Sequence, residues 1–293
     1  MIWYFALNEA GTKNATGAYA RLAVLSARRF TDLEPHLLYL GRPNAETAWM
    51  ERQGVRVVPV ELRIADAIEA AVAARRYPAG MEGHWLRTEI GFVETTDQFV
   101  LYTDCDVVFL APVVLDAAHP VLLAAAPEFR PDAWAYFNSG VMLLNAPQLR
   151  ARHPGLEAHV RARLATQDCS GWHDQEATNE VFAAEWERLD PVLNWKPYWG
   201  PNRDVRILHF HGPKLHCLAQ MLDYNWDWGS EFGRSIGSIA LLHLESYTGY
   251  LRGLRALLPD ETAELAPMIE YILAGETRLR ATAPWHLVRH PFG

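Results

Sequence analysis

Two carboxylates stand at the end of a strongly apolar stretch, as Asp104 and Asp106 in QFVLYTDCDVVFL, with Cys105 between them. In an extended chain successive side chains alternate in direction, so the two aspartates face the same way and the cysteine faces the other. Paired hard oxygen donors suit Mg2+ or Mn2+, ions that keep open positions for phosphate oxygens. Without a cation, two like charges at a buried strand end are costly. Asp is also common in turns, and the apolar flanks are what favour the metal reading.

A third donor stands downstream in ILHFHGPKLH, where His209 follows a short apolar run and precedes His211, Gly212, Pro213 and Lys214. An imidazole nitrogen completes a metal shell, Gly212 lets backbone approach a phosphate, and Lys214 offers a cation to a diphosphate. A lone histidine is more often a hydrogen-bonded core residue; beside the acid pair the ligand reading is the stronger one. In WAYFNSGVMLLN, Asn138 and Gly140 precede a buried strand, where function-bearing loops attach. In GWHDQEATNEVF, Asp174 or His173 caps a helix whose first turn holds Gln175 and Glu176. Asp174 as a cap and Gln175 as a site residue fit this stretch equally.

These groups need a scaffold, and hydrophobic periodicity supplies one. Apolar runs at residues 2–7, 36–40 and 55–60 alternate with helical patterns at 17–29 and 47–52, an order that implies parallel strands with helices on both faces. Helical patterns at 65–76 and 83–93 lead into the strand that ends in the acid pair. Further strands are expected at 121–126, 140–144 and 207–209, and helices at 149–164 with a break at Pro154, 174–186, 236–258 and 261–273. An aromatic, proline-rich loop, LDPVLNWKPYWG, separates the last two groups. The expected organisation is an α/β domain over residues 1–230 with a helical extension over 231–293.

The 293 residues suffice for a large core, and a net charge of -8 argues against a nucleic-acid partner, which needs clustered Lys and Arg. The three cysteines, Cys105, Cys169 and Cys217, show neither zinc-ligand spacing nor a disulfide framework, which favours a reducing compartment. The opening MIWYFALNEAGTK lacks a basic n-region and a long apolar run, so the chain reads as cytoplasmic.

Taken together, DCD at Asp104 to Asp106, FNSGVMLLN at Phe137 to Asn145, DQEATN at Asp174 to Asn179 and HFHGPK at His209 to Lys214 resemble the ordered motifs of glycosyltransferase family 8. That family includes glycogenin and bacterial galactosyl- and glucosyltransferases of lipopolysaccharide. The resemblance implies a GT-A fold, Mn2+ (or Mg2+), a UDP-sugar donor, a glycan or glycolipid acceptor and transfer with retention of configuration. By the same resemblance Asp104, Asp106 and His209 are metal ligands, with Cys105 inside the donor-binding motif. Arg87 reaches the donor, Asn138, Asp174 and Gln175 surround its sugar, and Gly212 and Lys214 grip the diphosphate. Leu7 and Asn8 fall in the nucleotide-binding first loop. The chain departs from the pattern in three places: Asn8 and Glu9 replace an aspartate, one residue instead of two separates Gly212 from Lys214, and Glu176 replaces an aspartate.

Transfer from a sugar diphosphate requires stabilisation of the departing charge, which a divalent ion, Lys214 and Arg87 supply, and an electron-rich neighbour for the sugar carbon, for which Asp174 and Gln175 are available. Trp195, Tyr198, Trp199, Trp226 and Trp228 offer a stacking rim for an acceptor or ordinary core packing. Arg278, Arg280, Trp285, Arg289 and Phe292 resemble a diluted form of the basic, aromatic tail with which bacterial relatives touch membranes, which leaves peripheral membrane contact open. A nucleotidyl- or phosphotransferase would use the same acid pair but commonly needs a Gly-rich, basic phosphate loop. The remaining alternative is a non-catalytic module or pseudoenzyme that binds a nucleotide-sugar or a glycan.

Overall fold

In a computed structural model of the chain, the structure describes residues 1–115, 118–257 and 265–290. The first half alternates as expected: β1 (Ile2–Asn8), α1 (Ala15–Phe30), β2 (Glu34–Leu40), α2 (Ala45–Arg52), β3 (Arg56–Pro59) and α3 (Ala65–Ala73). Residues Glu82–Glu89 form a 3-10 helix followed by the single turn α4 (Ile90–Val93), in place of one expected α-helix over 83–93. Then come β4 (Phe99–Thr103), β5 (Val107–Phe109), β6 (Leu123–Pro127), β7 (Phe137–Asn145), α5 (Ala146–Thr166), α6 (Asp174–Val181), β8 (Trp186–Arg188) and β9 (Ile207–His209). Four helices close the chain: α7 (Leu215–Leu222), α8 (Glu231–Leu242), α9 (Leu244–Leu257) and α10 (Leu265–Thr282).

Seven strands form one mixed sheet in the order β3-β2-β1-β4-β7-β6-β8. Pairing is parallel except at β7, which runs against both β4 and β6. Strand alternation sends Trp3, Phe5 and Leu7 to one face, where Ala20, Ala23 and Val24 of α1 cover them, and Tyr4 to the other, where Leu156 and Val160 of α5 share the cluster. All nine residues of β7 are buried, as a central strand covered on both sides requires. A two-stranded antiparallel ribbon, β5 with β9, stands apart from this sheet. The third apolar cluster joins Tyr19 and Leu22 of α1 and Leu208 of β9 to Leu218, Tyr247, Leu251 and Ile269 of the closing helices.

Several local expectations are corrected. Helix α5 passes through Pro154 without a break. Pro154 lies on the exposed face, where the carbonyl that loses its donor is open to hydration, and buried His153, Leu156, Val160 and Leu164 hold the helix on either side. The helix expected over 174–186 stops at Val181, and Trp186 enters β8, paired with Leu123 of the sheet. The stretch 236–258 is two helices, divided at His243, and α7 and β8 are elements that periodicity did not mark. Leu258, residues 261–264 of the last expected helix, and Phe292 lie outside the described residues.

Candidate active site

β4 ends at Thr103, and the chain leaves the sheet through Asp104, Cys105 and Asp106 before entering β5. Asp104 N–H donates to the Gly140 carbonyl at 2.7 Å, and Phe210 N–H donates to the Asp106 carbonyl at 2.9 Å. One bond ties the aspartates to β7 and the other to the end of β9, so His209 arrives beside them. An oxygen of each aspartate and a ring nitrogen of His209 lie within 4.8 Å of one another. His209 Nε2 is 3.4 Å from Asp106 Oδ1 and 3.8 Å from Asp104 Oδ2. Cys105 points away, its thiol donating to the Ala6 carbonyl at 3.0 Å within the apolar cluster of Trp3 and Phe5. Burial, with an aspartate on each side, pushes that thiol well above its ordinary pKa, so it stays protonated.

The donor set fits a divalent cation. His209 Nδ1 lies 2.9 Å from Asn194 Oδ1, and an amide oxygen only accepts, so Nδ1 carries the ring proton. Burial lowers the imidazole pKa, so a neutral ring turns its Nε2 lone pair toward two carboxylates. Three electron-rich groups converging in this way can hold a cation between them, and mixed imidazole and carboxylate donors suit Mn2+ or Mg2+. Gly140 keeps the space open: a Cβ there would lie 2.2 Å from His209 Cε1 and 2.8 Å from Asp104 Oδ2.

Two cations flank this group. Arg87, on the 3-10 helix, donates from Nη2 to Asp104 Oδ1 at 2.8 Å and from Nη1 to the Ser139 carbonyl at 2.7 Å and hydroxyl at 2.8 Å. Its Nε is 2.9 Å from Asp174 Oδ2, an ion pair in which the N–H is not aimed at the oxygen. Asp174 is therefore not the helix cap: His173 holds that position, with its N–H bonded to Glu176 Oε2 at 2.8 Å, and Asp174 opens the helix facing Arg87. Burial raises the Asp174 carboxyl, Arg87 pulls it back, and it settles at about 6. Lys214, which precedes α7, pairs with Asp106 Oδ2. Burial raises the Asp106 carboxyl as well, and the charge of Lys214 more than reverses this, leaving it well below the usual range.

Asn138 and Gln175 meet on the far side of β7. Gln175 Oε1 accepts from Asn138 Nδ2 at 3.0 Å and from the Ser139 N–H at 2.9 Å. Between them stands Glu128, whose Oε2 accepts from Asn138 at 2.7 Å and from Gln175 Nε2 at 3.1 Å, while Oε1 faces His211 Nε2 at 3.0 Å. Burial raises the Glu128 carboxyl, but His211, Lys196 and Asn138 bring it down to about 2. Sequence reasoning missed Glu128, Asn194, Ser139 and Lys196. For Glu128 a signal existed, since an acid at the carboxyl end of the apolar stretch LLAAAPE repeats the pattern that drew attention to Asp104. Asn194 and Lys196 carry no such mark, because their partners come from elements remote in sequence.

The other expected residues take various places. Asn8 ends β1, which neighbours β4; its Oδ1 accepts from the Gly11 N–H at 2.8 Å and its Nδ2 donates to the Gly80 carbonyl at 3.3 Å. Leu7 packs its side chain into the apolar cluster of Phe5 and Leu37. Gly212 has φ +75°, a conformation that favours glycine and swings the chain from β9 toward Lys214. Of the aromatic rim, Tyr198 is buried, with its hydroxyl 3.0 Å from His211 Nδ1, and Trp226 and Trp228 pack on the closing helices. Trp285 is 45% exposed, Arg278 and Arg280 bond to Tyr271 and Glu276, and among the described residues no helix is long and apolar enough to cross a membrane.

No protein-family model and no curated protein matches the sequence. Solved structures do. The galactosyltransferase LgtC, in complex with donor and acceptor sugar analogues, aligns over 73% of this chain and 88% of its own with TM-score 0.55 and 19% identity. The glycosyltransferase GlyE of Streptococcus pneumoniae TIGR4 aligns over 71% of this chain and 54% of its own, with TM-score 0.51 and 19% identity. Mouse xyloside xylosyltransferase 1 aligns over 72% and 98%, with TM-score 0.51 and 16% identity. At these identities the likeness is one of architecture, and the architecture of this chain is the GT-A fold of glycosyltransferases.

Proposed function

We propose that the chain is a metal-dependent, retaining glycosyltransferase that moves a hexose, galactose or glucose, from a UDP-sugar to a hydroxyl of a glycan or glycolipid. The observation that carries this reading is the convergence of the His209 lone pair with Asp104 and Asp106 at the carboxyl end of β4 in a GT-A scaffold. Ligands of open α/β sheets bind at that end.

A Mn2+ or Mg2+ ion held by Asp104, Asp106 and His209 would supply positive charge for the departing diphosphate. Lys214 adds a mobile ammonium: it rests on Asp106, and a cation bound there would release it toward the phosphates. Arg87, clamped to Asp104, Asp174 and Ser139, is rigid, and its role is to hold both carboxylates in place for donor binding.

For the sugar carbon the group at hand is an amide. Gln175 lies beside two carboxylates, but Glu128 already accepts three hydrogen bonds and Asp174 is paired with Arg87, which leaves neither a strong nucleophile. A front-face route, with the leaving phosphate taking the acceptor proton, therefore suits the residues better than double displacement.

The test is UDP release from UDP-galactose and UDP-glucose with Mn2+, with and without oligosaccharide acceptors, followed by NMR of the product's anomeric linkage. A retained α-linkage, with turnover of Gln175→Ala reduced but measurable, supports the proposal. A glycosyl adduct trapped on Glu128 or Asp174 would replace the front-face route. Absence of metal-stimulated UDP release would remove the reading altogether.

A further inference from the structure

We propose that the Nε2–H of His173 donates to a hydroxyl of the sugar carried by the nucleotide, which makes His173 a specificity-determining residue of the cleft. The inference rests on the transferase reading and deepens it, because it names a group that reads the sugar.

The place of that proton follows from two partners of His173 and Tyr77. Trp85 Nε1 donates to the Tyr77 hydroxyl oxygen at 2.9 Å, and the same oxygen lies 2.9 Å from His173 Nδ1. An indole N–H only donates, so Trp85 gives the hydroxyl proton of Tyr77 nowhere to go. Tyr77 is buried, and among the described residues His173 Nδ1 is the acceptor within hydrogen-bonding distance of that hydroxyl. Nδ1 therefore accepts. Burial, together with the neighbouring His84, lowers the His173 pKa, so the ring is neutral and its single proton sits on Nε2. That nitrogen has no protein partner among the described residues and is open to solvent. Its direction is fixed, because Tyr77 holds Nδ1 and the His84 ring packs edge-on, with centroids 5.0 Å apart and planes at 78°.

The imidazole pair belongs to the recess of the metal group. Residues three apart on a 3-10 helix lie one above the other, so on Glu82–Glu89 His84 stands over Arg87. Arg87 binds Asp104 and Asp174, and His173 is the residue before Asp174. The pair of His84 and His173 is thus the layer next to the pair of Arg87 and Asp174. His84 is exposed, yet surrounding protein lowers its pKa, first through burial and then through Arg87, and the charges of Asp104, Glu176 and Lys214 also reach it. A ring open to solvent and still enclosed by protein lines a recess, and the reach of Asp104 and Lys214 makes this the recess beside the metal group. Lys214 and a bound cation are matched to the charge of a diphosphate. A neutral N–H next to Asp174 and Gln175 is matched instead to a hydroxyl, and a site built to bond a hydroxyl rejects the analogue that lacks it.

UDP release from UDP-galactose or UDP-glucose, whichever the wild type cleaves faster, and from its monodeoxy analogues tests the contact in the wild type and in His173→Phe. In the wild type one monodeoxy analogue is expected to lose roughly tenfold in kcat/KM through this contact, about the value of one hydrogen bond. In His173→Phe that penalty should vanish while the penalties of the other analogues remain. Survival of every penalty in His173→Phe would overturn the proposal. If loss of the Tyr77 partner unfolds His173→Phe, ring-nitrogen NMR shifts of His173 in the wild type decide: a proton on Nε2 that responds to the UDP-sugar with Mg2+, but not to UDP with Mg2+, is expected. A proton on Nδ1, or the same response to UDP, overturns the contact. UDP release that is indifferent to His173 removes this contact alone, whereas a wild type that cleaves no UDP-sugar and whose ring responds to neither nucleotide removes the transferase reading along with it.

Discussion

Gly140 and His209 stand so close that a Cβ on the glycine would lie 2.2 Å from Cε1 of the imidazole. The strand cannot retreat, because Asp104 N–H is bonded to the Gly140 carbonyl at 2.7 Å and every β7 residue is buried. Gly140→Ala must therefore displace the His209 ring or Asp104. The expected result is at least tenfold weaker Mn2+ binding, as for disturbed metal-site geometry, with a stability loss of about 1–3 kcal/mol from overpacking. Calorimetric Mn2+ titration and urea unfolding of the variant read both quantities, and unchanged Mn2+ affinity would show that the metal sits elsewhere.

Arg87 is the shared cation of Asp104 and Asp174, beside the group of Asp104, Asp106 and His209. Arg87→Met leaves the buried Asp174 without a counter-charge, which costs roughly 3–5 kcal/mol in comparable buried pairs. Removing the arginine also raises the Asp174 carboxyl beyond its value of about 6. A raised folded-state pKa gives stability that is present at low pH and lost as pH rises through it. The deficit of Arg87→Met relative to wild type is therefore expected to be smaller at pH 5 than at pH 8, and a deficit independent of pH contradicts the assigned ion pair.

Lys196 is fully buried, with its ammonium donating to the Pro127 carbonyl at 2.6 Å and lying 4.1 Å from the centre of the Trp199 ring. Burial pushes it down to about 7. The unfolded chain keeps that proton to about pH 10, so between pH 7 and 10 it binds more protons than the folded chain and stability rises with pH. Lys196→Met removes this slope. The wild type is expected to gain on the order of 2 kcal/mol relative to the variant between pH 7 and pH 9, measured by urea unfolding at each pH. Parallel pH profiles would contradict the buried ammonium.

Helices α8, α9 and α10 share one apolar cluster with residues on the near side of Ser230, among them Leu208, Leu218 and Leu222. A Cβ at Gly275 of α10 would lie 2.5 Å from Leu222 Cδ2, so the Leu222 side chain of α7 packs directly on the α10 backbone. Gly275→Val should lower the unfolding midpoint reported by tryptophan fluorescence and by far-UV circular dichroism together, in a single transition. Two separated transitions would contradict this shared packing and show that 231–293 unfolds as a unit of its own.

Much of this arrangement was legible in the sequence because it rests on local pattern. Short apolar runs marked β1, β2 and β4, and alternation past the end of β4 placed Asp104 and Asp106 on one side with Cys105 turned inward, as they lie. Periodicity failed where tertiary contact overrode it: Pro154 sits in a helix anchored on both sides, and Trp186 left the helical pattern to pair with Leu123. The hydrogen bonds that connect Glu128, Asn138, Asn194 and His209 were not legible at all. Each of these bonds joins residues from different elements, and an amide's direction depends on partners that only the fold brings together.

The central claim is that Asp104, Asp106 and His209 form a divalent-metal site serving a nucleotide-sugar donor. Its most direct measurement is Mn2+ binding by EPR, with and without UDP, in the wild type and in an Asp104→Asn, Asp106→Asn double variant. One Mn2+ per wild-type chain is expected, with tighter binding when UDP is present and loss of both effects in the double variant. Mn2+ binding that is indifferent to UDP, or that survives in the double variant, would contradict it.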